Sequence, residues 1–119
     1  YHRMLTEDSS DITAVFEASG RCIYMSPSVE RILGSPTARY LRHRPIRYVH
    51  PDDRRRLAEA FDTAFRTDVS GEIPVAVRYE HAGGGWTWLE TVARRVIDEP
   101  GRPVLVTNSR DVTVYTPPG

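Results

Sequence analysis

The chain has 119 residues and no formal net charge, because its 16 basic residues balance 16 acidic residues, and 39% of its residues are hydrophobic. This length is typical of one domain, and no apolar stretch approaches the ~18 residues that a transmembrane helix needs. The single cysteine, Cys22, excludes an internal disulfide and a multi-cysteine metal site, so we expect a cytoplasmic domain without membrane contact.

The first part of the chain is predicted to contain a flanking segment and a β-hairpin. Residues 1–10 are interpreted as a flanking helix or linker whose strong apolar side chains are Met4 and Leu5. Residues 11–16 alternate at the two-residue period of a strand. A Ser-Gly turn then leads to a returning strand over residues 21–25.

Two helices with an irregular connection are predicted next. Ser26 is the expected N-cap of the first helix, and Gly34 fits the position just past its end. Residues 36–49 are expected to form short helical turns, and the sequence His-Pro-Asp-Asp from His50 opens a long helix that runs to about position 67. One face of this helix is apolar: Leu57, Phe61 and Phe65. Three ion pairs are expected on its other faces: Asp52–Arg56, Arg55–Glu59 and Asp62–Arg66.

The last third of the chain predicts an antiparallel meander. Strands over 72–80, 86–98 and 104–113 are separated by glycine-rich turns, where glycine supplies the required positive φ. Alternation divides the side chains between two faces. One face carries Val75, Val77, Tyr79, Leu89, Thr91, Ala93, Leu105, Thr107 and Ser109. The other carries Trp86, Trp88, Glu90, Val92, Val104 and Val106. Since helices can cover only one face, the second is expected to meet the N-terminal segment, with Met4 and Leu5, or another subunit.

Four stretches of this sequence together resemble a PAS (Per-Arnt-Sim) domain. They are residues 11–34, the His-Pro-Asp-Asp stretch at 49–53, the Trp-x-Trp strand at 86–90 and the closing residues 110–113. The variant is similar to the PAS type found in bacterial sensor kinases and cyclic-di-nucleotide enzymes. The resemblance implies an α+β fold: a five-stranded antiparallel sheet in the order 2-1-5-4-3, with helices covering one face.

The resemblance also implies a domain organisation and partners. The PAS domain is expected over residues 11–114, followed by a proline-rich linker over 115–119 toward an output domain in a longer protein. Asp111 and Thr113 match the family's output motif. A homodimer and a small-molecule ligand are the other implied partners, whereas the neutral net charge disfavours nucleic acid.

A ligand pocket is expected between the sheet and the helices. Mostly apolar walls with a few hydroxyl groups suit a small, weakly polar molecule. The expected lining is Phe16, Phe61, Val77, Tyr79, Leu89, Thr91, Thr107 and Ser109. The alternative interpretation is that these side chains simply fill the core and leave no cavity.

The sequence offers little support for a cofactor or for catalysis. Haem-binding members of the family use a histidine of the long helix, and light-sensing members use a cysteine of the helical segment. Neither residue is present there, so we expect neither haem nor flavin. His50 or Glu90 could serve as a base in a small curved-sheet enzyme of the isomerase type, but helix-start chemistry accounts for His50, and a surface ion pair for Glu90. The leading hypothesis is a sensory and signal-relay domain, and its alternative is a ligand-free dimerisation module.

Overall fold

The computed structural model describes residues 10–66, 73–98 and 101–113. Its strands and α-helices are β1 (Ile12–Phe16), β2 (Cys22–Met25), α1 (Ser28–Leu33), α2 (Arg54–Arg66), β3 (Ile73–Glu80), β4 (Trp86–Ile97) and β5 (Pro103–Asp111). Three 3₁₀ turns, Thr37–Arg39, Pro45–Tyr48 and Pro51–Asp53, connect α1 to α2. The predicted N-terminal helix with Met4 and Leu5, and the 115–119 linker, lie outside the described residues.

The five strands form one antiparallel sheet in the order β2-β1-β5-β4-β3, as the resemblance implies. The central contact joins the two ends of the chain, because β1 pairs with β5 from Ile12 opposite Ser109 to Phe16 opposite Leu105. None of the described helices is long and apolar enough to cross a membrane.

The helices cover one face of the sheet and bury the core there. On α2, Leu57 and Phe61 are buried and Phe65 is partly buried against the same cluster, which confirms the predicted apolar stripe. The opposing sheet residues are those that alternation assigns to this face, and Val77 and Leu105 among them are fully buried. Burial of this apolar surface is the main term that stabilises the fold.

The edge strand β3 is covered by the segment that leads into α2. Val49 forms a bridge with Tyr79, and the His50 amide donates to the Arg78 carbonyl at 2.8 Å. The Arg56 side chain donates to the Ala76 carbonyl at 3.1 Å. Since an exposed edge would offer unpaired backbone groups to another chain, this cover removes a site of unwanted strand pairing.

Two local predictions about the helix ends are wrong. The Ser26 hydroxyl does not cap α1; it accepts a hydrogen bond from the Thr13 amide at 2.8 Å, which ties the start of α1 to β1. The expected ion pair between Asp52 and Arg56 is absent among the described residues, because Arg56 instead lies 3.3 Å from Asp53, whose carboxylate is buried. The Ser26 hydroxyl is taken by a partner on β1, whereas Arg56 pairs with the neighbouring acid of the same turn and also donates to the Ala76 carbonyl on β3.

Other local predictions are confirmed. Gly34 follows α1 with a left-handed φ of 80°, and its amide donates to the Glu30 carbonyl. The remaining two ion pairs on α2 are present: Arg55–Glu59 at 3.1 Å and Asp62–Arg66 at 2.7 Å.

Candidate functional site

A small cavity lies between the inner face of the sheet and the helical segments. Its volume is about 30 Å³, which is enough for one or two water molecules. Ligand pockets for drug-sized molecules have roughly 300–1,000 Å³. In this conformation the space between sheet and helices is therefore almost completely filled by side chains.

The structure brings seven of the eight predicted lining residues to this cavity: Phe16, Phe61, Tyr79, Leu89, Thr91, Thr107 and Ser109. Val77 is fully buried but is not among the lining residues. Sequence reasoning missed nine further lining residues from the hairpin, α1 and the 3₁₀ turns: Ile12, Ala14, Cys22, Met25, Val29, Leu33, Tyr40, Pro45 and Tyr48. The alternation of apolar side chains in β1 could have identified Ile12 and Ala14. The irregular segment that holds Tyr40 and Tyr48 has no regular spacing of apolar residues from which their burial could be predicted.

Most polar groups at the cavity wall already have protein partners. The hydroxyls of Thr91 and Ser109 lie 2.6 Å apart across β4 and β5. The Cys22 thiol donates to the Tyr24 carbonyl at 3.2 Å, and burial raises the pKa of this thiol to about 11. The cavity wall therefore contains no reactive thiolate at neutral pH.

The Tyr79 side chain also lines the cavity. Its residue is only 9% exposed. Burial raises the pKa of the Tyr79 phenol, so the group is a neutral hydrogen-bond donor.

The predicted output motif forms a compact hydrogen-bonded turn after β5. The Asp111 carboxylate accepts from the Thr113 amide at 2.9 Å and from the Thr113 hydroxyl at 2.6 Å. The Thr113 hydroxyl oxygen in turn accepts from the Trp88 amide at 3.1 Å, and the Val112 amide donates to the Trp88 carbonyl at 3.0 Å. The motif thus fixes the end of β5 to the Trp-x-Trp strand.

The Trp88 ring is linked to the start of α2 through Arg78. The Arg78 guanidinium lies 4.9 Å from the centre of that ring and donates to both carboxylate oxygens of Asp53 at 2.9 Å. The Arg78 amide donates to the same carboxylate at 2.8 Å. The hydrogen bonds from the Arg78 side chain, with those from its backbone, lower the pKa of Asp53 to about 2 although burial opposes this. The sequence offered only a helix-dipole role for Asp53, because Arg78 is 25 residues away.

The outer face of the sheet carries a second apolar cluster. Val104 and Val106, both predicted for this face, are buried there together with Val15, and Ile23, Tyr24 and Val96 pack around them. Of the other predicted members, Val92 and Trp88 are partly buried, while Trp86 is 43% exposed and its ring lies 4.6 Å from that of His50. Two buried oxygen atoms on this face, Thr13 Oγ1 and Asn108 Oδ1, have no hydrogen-bond partner among the residues that the structure describes.

The two residues considered as bases make structural contacts. The His50 Nδ1 atom accepts from the Asp52 amide at 3.1 Å, as an N-cap does, and Glu90 pairs with Arg110 at 3.0 Å. Neither residue lines the cavity described above. In residues 10–66, 73–98 and 101–113, no group of three or more His, Cys, Asp or Glu side chains could hold a metal ion.

Comparison with known proteins identifies the fold. A family model described as PAS fold matches residues 22–108. A PAS domain of an HTR-like protein from Haloarcula marismortui is similar at 20% identity and a TM-score of 0.74, covering 92% of this chain and 89% of that one. The N-terminal domain of a diguanylate cyclase with PAS/PAC sensor from Marinobacter aquaeolei has 19% identity and a TM-score of 0.73, covering 88% and 97%.

A sensory box histidine kinase/response regulator from Burkholderia thailandensis E264 is similar at 22% identity and a TM-score of 0.67, covering 90% of this chain and 80% of that one. A search of curated proteins found no match to the chain. At these identities the structural likeness shows the fold alone.

Proposed function

The chain belongs to the PAS-fold family, and we propose that it is a regulatory domain of a larger bacterial signalling protein in the cytoplasm. In this proposal it is not itself an enzyme. It relays the state of its helical face to an output domain that follows β5, and it acts as a homodimer. Support comes from the domains of a diguanylate cyclase and a sensory histidine kinase that share its fold.

One observation carries the relay: a continuous series of contacts runs from the 3₁₀ turn just before α2 to the end of β5. Asp53 holds Arg78, Arg78 lies against the Trp88 ring, and the Trp88 backbone is bonded to Thr113. A shift of the start of α2 would therefore be transmitted to the residues from which the chain leaves the domain. A packed network of this kind is the physical requirement for coupling between two distant parts of a fold.

A hydrogen-exchange experiment tests the relay. We expect Arg78→Gln to accelerate exchange at the Trp88 amide, because the Trp88 ring loses the cation that holds it. Arg39→Gln is the matched control, since Arg39 also contacts β3, through its 2.8 Å pair with Glu80 at the far end of that strand. Exchange at the Val15 amide reports global unfolding. The exchange rate at the Trp88 amide is corrected in each variant for the change in global stability that Val15 reports. Equal corrected rates in the two variants would remove the support for the relay.

The dimer is proposed to form through the outer sheet face, where Trp86 is 43% exposed and Trp88 and Val92 are only partly buried. Sedimentation velocity of Val92→Arg should show a shift toward monomer, because Val92 is partly exposed on this face. Ala58→Arg adds the same charge on the helical side and should leave the assembly state unchanged. An unchanged sedimentation coefficient in both variants would exclude this interface.

A second candidate function is a ligand-free dimerisation module. The cavity of about 30 Å³ favours it, because a small organic ligand would need the core to expand. Native mass spectrometry of the purified protein separates the two candidates. A bound small molecule that is released on unfolding supports ligand sensing, and its absence together with a stable dimer supports the module.

A further inference from the structure

A surface groove of about 430 Å³ lies outside the internal cavity. It runs between the β1–β2 turn, residues 44–46 and the edge of the apolar stripe of α2. Its apolar wall includes Ile46, Leu57, Ala58 and Phe65. This volume falls in the range of about 300–1,000 Å³ that is typical of small-molecule sites.

The rim of the groove is positively charged. Arg44 lines it, is exposed, and makes no ion pair with any carboxylate of the described residues. The stem of Arg44 packs over Gly20, where a β-carbon added to the glycine would lie 3.7 Å from the Arg44 Cγ atom. Asp62 also lines the groove, but Arg66 neutralises it at 2.7 Å. An apolar wall beside one uncompensated guanidinium complements an apolar molecule that carries one negative charge.

The groove and the internal cavity share a wall. Phe61 and Pro45 line both spaces, and Phe61 is 9% exposed. Its ring lies 5.2 Å from that of Phe16 inside the core. A molecule in the groove would therefore contact the outer side of Phe61, and the inner side of Phe61 borders the cavity.

We propose that this groove is a binding site for a small carboxylate with an apolar body, with the carboxylate paired to Arg44 and the body against α2. Phe61 is the positioning residue through which occupancy of the groove reaches the core. Binding at the groove depends neither on a ligand in the internal cavity nor on dimerisation, so it stands or falls separately from the function proposed above.

Titration of the folded chain with octanoate tests the site, with octan-1-ol and octylamine as probes that share its tail. We expect octanoate to bind more tightly than either, and we expect ¹⁵N–¹H shift changes at Arg44, at Ile46 and at residues 57–65. Arg44→Gln should weaken octanoate binding about two- to fivefold, because an exposed charge pair is lost, and should leave octan-1-ol binding unchanged. Arg55→Gln is the control. It also removes one positive charge, but Arg55 pairs with Glu59 and lies outside the groove.

A second variant blocks the groove without disturbing the core. Ala58 is exposed and helical, so Ala58→Glu should fold normally, place a like charge in the groove and abolish octanoate binding. Equal binding of octanoate and octan-1-ol, or equal binding by wild type and Arg44→Gln, would overturn the proposal. So would shift changes confined to the inner face of the sheet. A sedimentation coefficient altered by Ala58→Glu would assign the groove to contacts between copies of the chain instead.

Discussion

Replacing Asp53 with asparagine removes one negative charge from the start of α2 and preserves the shape of the side chain. In the wild type this carboxylate is 1% exposed, accepts three hydrogen bonds from Arg78 and lies 3.3 Å from the Arg56 guanidinium. The variant therefore tests how strongly a buried charge pair holds α2 to the edge strand β3.

The magnitude follows from the pKa of Asp53. The folded protein lowers this pKa from 3.8 to about 2, and each pKa unit corresponds to about 1.4 kcal/mol. Ionised Asp53 thus contributes roughly 2.5 kcal/mol to the free energy of unfolding at neutral pH. Because the folded value is the lower one, this contribution is complete above the unfolded pKa near 4 and is lost as the pH falls toward 2. At pH 3 about half of it should remain.

Urea unfolding of wild type and Asp53→Asn at pH 7 and pH 3 measures both quantities. The difference in unfolding free energy should be roughly 2.5 kcal/mol at pH 7 and about half as large at pH 3. Asp52→Asn is the control: the side chain of Asp52 is 76% exposed, and its removal should change stability by less than about 0.5 kcal/mol. A difference below about 1 kcal/mol at pH 7, or one that does not shrink at pH 3, would refute the assigned charge pair.

Three further predictions concern the core and the turns. Phe61→Ala should lower the unfolding free energy by about 3–5 kcal/mol in urea, as for a filled core; a much smaller loss would show that Phe61 borders a larger space. Gly34→Ala should cost about 1–2 kcal/mol because φ is 80°, and its new β-carbon would lie 3.2 Å from that of Ala82; an unchanged melting temperature would contradict this. The Cys22 thiol, whose pKa burial raises from 9.0 to about 11, should react with Ellman's reagent at least about a hundredfold more slowly in the folded than in the unfolded chain; comparable rates would mean that the thiol is accessible.

The alternation of apolar side chains predicted much of the sheet correctly. Strand positions two residues apart share a face by covalent geometry alone, so Val75, Val77 and Tyr79 were assigned to the buried side without knowledge of their partners. The same local logic located the apolar stripe of α2 and the end of α1 at Gly34. The order of the strands came from the resemblance to a family, since alternation does not say which strands are neighbours.

The candidate site was less predictable because its properties depend on contacts between distant residues. Ser26 has the chemistry of an N-cap, yet its hydroxyl accepts a hydrogen bond from the Thr13 amide at 2.8 Å. The β-hairpin brings these two residues together. Asp53 looks like a helix-start acid, yet its main partner is Arg78 on another element. Phe61 was expected at a pocket, but whether a pocket exists depends on how closely the helices approach the sheet.

What the sequence determined by itself is the set of local choices: which residues form strands and helices, which side chains point inward, and where glycine permits a turn. These depend on backbone geometry within a few residues. Only the tertiary structure decided the size of the cavity, the Asp53–Arg78–Trp88 contacts and the groove beside Arg44. The cavity of about 30 Å³ is the small difference between the volume that the helices and strands enclose and the volume of the side chains that fill it. No local sequence pattern determines that difference.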